Sequence, residues 1–324
     1  MLKDIHGRLR PLGIADIIDE TVELYRSNFV LLVGVSAVLN VPLVVLIGLL
    51  GGSTGVGGLG GSLVSVVAAF VVGSAVTGAL TFAVSERYVD RPVSVGEAYR
   101  RVLRQSVFFP FLGAIALKSL VVFAPMGAAA AVGFGAAGAA AINGSWSAFA
   151  LAAAGMVGAM GLALAWAAYF GVRLLLVEPA VILERVGAVG AMSRSWKLMA
   201  GSWWKGFGLF LIVTMVTGFV AAALTGPTTF TIMSKNFAKE PVSRALIALD
   251  TIISAIVQTL VAPWPSIAWI LLYYDVRIRK EGFDLELLAR ELEEKSRAFR
   301  AEGALSLPQE RPSENANRDE QPGA

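Results

Sequence analysis

Four stretches without a formal charge constrain this chain more than any other feature. No Asp, Glu, Lys or Arg occurs in residues 27–85, 119–172, 206–234 or 251–274, runs of 59, 54, 29 and 24 residues. A soluble helix alternates apolar with solvated positions, so runs of this length have no stable place in water. A hydrocarbon core of about 30 Å needs about 20 helical residues. The first two runs therefore hold two crossings each and the last two one each, which predicts six. With 56% hydrophobic and 16% charged residues and a mean hydropathy of +0.68, composition agrees. The expected fold class is all-α: a polytopic membrane protein with six transmembrane helices and interfacial amphipathic helices.

The first run divides at GGSTGVGGLGGS, residues 51–62, because consecutive glycines disfavour a continuous helix. The spans are expected near residues 29–50, 63–84, 108–132, 149–176, 207–224 and 247–274, and the boundary between the third and fourth is the least sharply marked. Within residues 51–62, GVGGLG has the spacing of a dinucleotide-binding loop, but no strand precedes it, so it reads as a turn between spans. Ala129, Gly133, Ala137 and Ala141, and again Ala154 and Gly158, recur every four residues, the spacing that lets helices approach closely in lipid.

Basic residues bias loops toward the cytoplasm. Of 27 Lys and Arg, 23 fall on the side that holds both ends, three fall on the opposite side, and Lys118 lies within a span. Both termini are therefore expected in the cytoplasm and the chain in a bacterial inner membrane. A polar stretch precedes the first span, which is read as retained rather than as a cleaved signal. Four regions are expected: a cytoplasmic or interfacial segment at 1–27, a six-helix membrane domain at 28–275, a cytoplasmic amphipathic helix at 276–303 and a disordered polar tail at 304–324. Trp203 and Trp204, and Tyr273 and Tyr274, border predicted spans and read as interfacial anchors.

A threefold rhythm runs through the chain, in which an amphipathic segment leads into a span that returns through a second one. Shifting the first unit by 83 residues superposes Gly13 on Gly96, Ala15 on Ala98 and Pro42 on Pro125. Three repeated helical hairpins are one reading. Chance identities in an apolar background are the other.

Candidate chemistry is sparse. The absence of cysteine excludes disulfides, thiolate metal sites and thiol nucleophiles, and the lone histidine, His6, has no second His to complete a familiar constellation. No catalytic, cofactor-binding or metal-binding residue is expected. The basic loops alternate with spans, so topology accounts for them without nucleic acid. The expected partners are the lipid bilayer and a protein that meets the C-terminal helix. A charge at mid-membrane costs about 2.5–3.5 kcal/mol unless it faces protein or water. Lys118, ten residues beyond Phe108, is the candidate for that position, and Asp250 is its expected partner in an intramembrane polar pair. Glu178 and Asp275 read as carboxylates in local pairs at the inner border.

At RSWKLMAGSWWKGFG, LLYYDVRIRKEGFDLELLARELEE and the N-terminal PLGIADIIDETVELYRSNF, the sequence resembles bacterial multi-pass proteins related to the membrane domain of glycerophosphoryl diester phosphodiesterases. In that family the phosphodiesterase chemistry belongs to a separate soluble barrel with catalytic histidines and metal-binding carboxylates. This chain has one His and no room for that barrel, so the resemblance implies a shared membrane module and no functional residue is carried over. The expectation is a non-enzymatic protein that scaffolds partners or organises lipids. The alternative is a small transporter or channel subunit with a polar path near Lys118 and Asp250.

Overall fold

A computed structural model describes residues 12–53 and 59–281. It is helical, with no strand among the described residues. Among the described residues the helices are, in order, α1 (Ile14–Ser27), α2 (Phe29–Ser53), α3 (Leu59–Tyr88), α4 (Val95–Val102), α5 (Gln105–Ile142), α6 (Trp146–Arg173), α7 (Val177–Glu184), α8 (Ala188–Met199), α9 (Trp203–Phe237), α10 (Arg244–Val261) and α11 (Pro263–Glu281). Six spans are long and apolar enough to cross a bilayer, with the sixth formed by α10 and α11 together.

The order repeats three times. A short amphipathic helix, α1, α4 or α8, precedes the pairs α2–α3, α5–α6 and α9–α10. Each short helix buries residues at helical spacing: Ile17, Thr21 and Leu24 in α1, Ala98, Tyr99 and Val102 in α4, and Ala191, Ser195, Leu198 and Met199 in α8. Capping is local in α4, where the Ser94 hydroxyl accepts the Glu97 N–H at 3.2 Å. A proline lies inside the first long helix of every pair: Pro42, Pro125 and Pro227.

The long helices outrun the bilayer. At 38 residues, α5 extends about 57 Å, well beyond a core of about 30 Å. Its antiparallel register with α6 explains where the excess goes. Ser145 N–H bonds Ala140 C=O at the hairpin turn, a Cβ on Gly133 would lie 2.3 Å from Met156 Cγ, and Trp166 Nε1 donates to Val121 C=O at 2.9 Å. Because α6 ends at Arg173, the first turns of α5 extend past it and pack instead on α7 and α8. There Phe111 and Ala114 join Val177, Ala180, Val181 and Ala191 in one buried cluster.

The molecule thus has two layers. At the charged end, α1, α4, α7, α8 and α11 enclose a core with the adjoining turns of α2, α3, α5 and α9. The Tyr99 hydroxyl donates to Val35 C=O at 2.6 Å, joining α4 to α2, and burial pushes its pKa up to about 12, so the phenol remains a neutral donor. Gly78 sits against Val102 and Phe111, where a Cβ would come within 2.8 Å of the Val102 side chain. Beyond this layer the spans expose large apolar side chains such as Val132, Phe134, Leu162, Phe219 and Phe230. Outward-facing apolar surface on this scale has lipid as its solvent.

The sixth span departs from the expected single helix over 247–274. It breaks at Ala262–Pro263, because proline lacks the N–H that would continue the ladder. The Tyr25 hydroxyl bonds Leu260 C=O at 3.0 Å, and its ring lies 5.7 Å from Trp264 and 5.4 Å from Phe29. The start of α11 is therefore level with the start of α2, and α11 runs through the charged layer beside α1. The fifth span, α9, also exceeds its expected 207–224, reaching from Trp203 to Phe237. Of the expected C-terminal helix at 276–303, only the part through Glu281 is described, as the end of α11. The rest of it, the tail, residues 54–58 of the glycine turn and His6 lie outside the described residues.

Candidate functional site

Three carboxylates hold the charged layer together. Asp275, whose side chain is 0% exposed, lies in the last turns of α11 and has three partners. It accepts from Lys205 Nζ at 2.5 Å, from Arg279 Nε at 2.9 Å and from the Leu12 N–H at 2.8 Å, while Leu12 C=O accepts from Lys205 at 2.5 Å and Arg279 at 2.9 Å. Both backbone groups of Leu12 are thereby used, and the chain preceding α1 is tied to α9 and α11. The N–H of Gly13, next along, donates to the Asp16 carboxylate at 2.7 Å in the first turn of α1.

Glu184, at the end of α7, takes both its oxygens to Arg194 Nε, at 2.9 and 2.8 Å. The Tyr273 hydroxyl also donates to it, and Arg277 Nε lies 3.9 Å away. One carboxylate therefore joins α7, α8 and α11. Nearby, the buried Ser195 hydroxyl donates to Arg173 C=O at 2.9 Å and accepts the Leu176 N–H at 3.2 Å. That pair of bonds satisfies backbone left open where α6 turns into α7.

Lys118 meets Glu178 at 2.7 Å, with side chains 20% and 14% exposed. This corrects the expected pairing with Asp250, and the reason is register. Lys118 is 25 residues before the turn at Asn143, about 37 Å of helix, so it lies at the charged end rather than at mid-membrane. Asp250 is near the other end and accepts from the Thr228 and Thr229 hydroxyls at 2.5 and 3.1 Å. The second oxygen of Glu178, Oε2, is buried with no hydrogen-bond partner.

The aromatic pairs divide. Trp204 is exposed, and Trp203 stacks on Phe207 and Tyr169 beside the Arg173 guanidinium, which lies 4.7 Å from the Trp196 ring. Tyr273 and Tyr274 correct the expectation of interfacial anchors, since both are buried. Tyr274 stacks on Tyr88 at 5.2 Å, and Tyr273 bonds Glu184, because the break at Pro263 carries α11 into the layer's core. Among the anchors of this layer, Glu184 was not singled out from sequence. Glu178 and Glu184 are the only acidic residues between Glu97 and Glu240, amid many basic ones, and that scarcity was the available signal.

Among the described residues no cluster of His, Cys, Asp or Glu has the arrangement of a metal site. What the arrangement does chemically is fix charge, with each carboxylate joining helices distant in sequence. No curated protein and no solved structure matches the chain. The family model described as the membrane domain of glycerophosphoryl diester phosphodiesterase does match, over residues 149–304, which takes in RSWKLMAGSWWKGFG and the segment after the last span but not the N-terminal phrase. Over residues 149–304, from the first turn of α6, the chain is similar to that membrane domain.

Proposed function

We propose that the chain is a non-enzymatic protein of the bacterial inner membrane that scaffolds partners or organises lipids, with its charged layer on the cytoplasmic side. The observation that carries this reading is the fate of the charges nearest the spans. Lys118 is paired with Glu178, and Lys205 and Arg279 share Asp275, all at one end. Charges used in this way fix helices against one another and leave the six spans apolar toward lipid. The C-terminal segment at 276–303 then offers a surface for a protein partner, and the basic loops attract anionic lipid at about 1 kcal/mol per residue near the surface.

A transporter is the second reading, favoured by the unpartnered Oε2 of Glu178 beside a lysine. The double substitution Lys118→Met with Glu178→Gln separates the two, because removing both charges avoids stranding either one. A scaffold variant inserts, accumulates and supports the wild-type phenotype. A variant that accumulates normally yet loses that phenotype supports the transporter.

A further inference from the structure

We infer that the cleft between the start of α5 and the α7–α8 turn binds the phosphate of an anionic phospholipid headgroup. The cleft is a cavity of about 250 Å³ lined by Arg101, Arg104 and Ser106 on one side and Val181 and Arg185 on the other. No carboxylate lines it. Among the described residues, none of the three guanidiniums has an ion pair: Arg101 lies 5.9 Å from the Phe82 ring centroid, and Arg104 and Arg185 are exposed. Elsewhere in the layer Arg194, Lys205 and Arg279 each meet a carboxylate. The nearest carboxylate in sequence, Glu184, is taken by Arg194 and Tyr273.

Two further features point to a phosphate. Arg104 is the N-cap of α5, so the first N–H groups of that helix, at Gln105 and Ser106, have no intrahelical acceptor and open beside the cavity with the Ser106 hydroxyl. A phosphate accepts from guanidiniums and from such N–H groups together. The second feature is what adjoins the cavity. Phe109 and Leu120, each 63% exposed, are eleven residues apart and share one face of α5, giving acyl chains an apolar track away from the charged mouth. A free phosphate has no use for that track, which is why the inference commits to a lipid. It rests on the reading above in placing this end of the bundle at a membrane surface.

The test uses the full chain in neutral phosphatidylcholine nanodiscs doped with phosphatidylglycerol, with retained lipid counted by native mass spectrometry. The double variant Arg104→Gln with Arg185→Gln leaves the Arg101–Phe82 contact in place. A control, Arg26→Gln with Arg100→Gln and Lys197→Gln, removes three exposed charges that do not line the cavity. Wild type is expected to retain one phosphatidylglycerol per chain, the double variant to bind it roughly tenfold or more weakly, and the control to stay within about twofold of wild type. Equal loss in variant and control would mean diffuse attraction and overturn the site. Equal binding of inorganic phosphate would overturn the lipid assignment. Saturable, variant-sensitive lipid binding in a chain whose charged layer proves to face the periplasm would uphold the site while refuting the cytoplasmic placement.

Discussion

In α11 twelve side chains are buried, including Asp275 and both tyrosines, whereas in α9 beyond Val213 the residues Met215, Phe219, Leu224 and Phe230 all face outward. α9 carries charge only near its two ends, at Lys205 and Lys235, whereas α11 closes on Asp275, Arg277, Arg279, Lys280 and Glu281, and the two helices solve different problems. The helix in the charged layer buries Asp275 and Tyr273 because each finds a partner from a distant part of the chain. The helix beyond that layer needs no protein neighbour for its apolar face, since lipid serves as well as another leucine. Burial in this molecule therefore marks where water is excluded by protein, and apolar exposure along the middle of the spans marks where it is excluded by the bilayer.

The contrast predicts unequal sensitivity to mutation. Asp275→Ala should do the most damage, because it strands Lys205 and the Leu12 N–H that the carboxylate holds. Breaking a buried pair of this kind costs about 3–5 kcal/mol. Steady-state protein level and the midpoint of thermal unfolding in detergent should both fall sharply. Wild-type values for both would mean that the charged layer is not what holds the fold.

Gly133→Ala probes a close approach in the bare region. The new Cβ would lie 2.3 Å from Met156 Cγ and 2.7 Å from Met156 Cβ, atoms too near the backbone to swing aside. Overpacking of this kind costs about 1–3 kcal/mol. The unfolding midpoint should drop by less than for Asp275→Ala, and partial restoration by the compensating change Met156→Gly, which removes both clashing atoms, would sharpen the assignment. Smallest of all should be Phe219→Ala, whose ring is 76% exposed to the lipid side; a stability change beyond about 0.5 kcal/mol would point to a protein neighbour there.

The six spans were legible because the absence of charge over 24 to 59 residues admits few other folds. The amphipathic helices before each hairpin were legible from their mixed composition, and the close approach at Gly133 from its small neighbours. Depth was not. Placing Lys118 at mid-membrane assumed that the helix and the bilayer begin together, but α5 spends its first turns against α7 and α8, a tertiary choice that apolar composition does not record. The same holds for Tyr273 and Tyr274. Aromatic residues beside charged ones suit an interface and a polar core equally, and only the turn at Pro263 decides between them. Local pairing was foreseeable for Asp275 with Arg279, four residues on, whereas its bonds to Lys205 and Leu12 span 70 and 263 residues.

The division into layers can be measured directly because the chain has no cysteine of its own. Single cysteines at Leu103, Val132, Trp146 and Phe219, which are 48%, 72%, 83% and 76% exposed in the protein, would be challenged with a membrane-impermeant maleimide in sealed vesicles of each orientation. Leu103→Cys should label only from the cytoplasmic face and Trp146→Cys only from the opposite face. Val132→Cys and Phe219→Cys should label from neither face until detergent is added, since lipid covers what protein leaves open. Ready labelling of Val132→Cys or Phe219→Cys in intact vesicles would contradict the account, because the apolar surface would then face water.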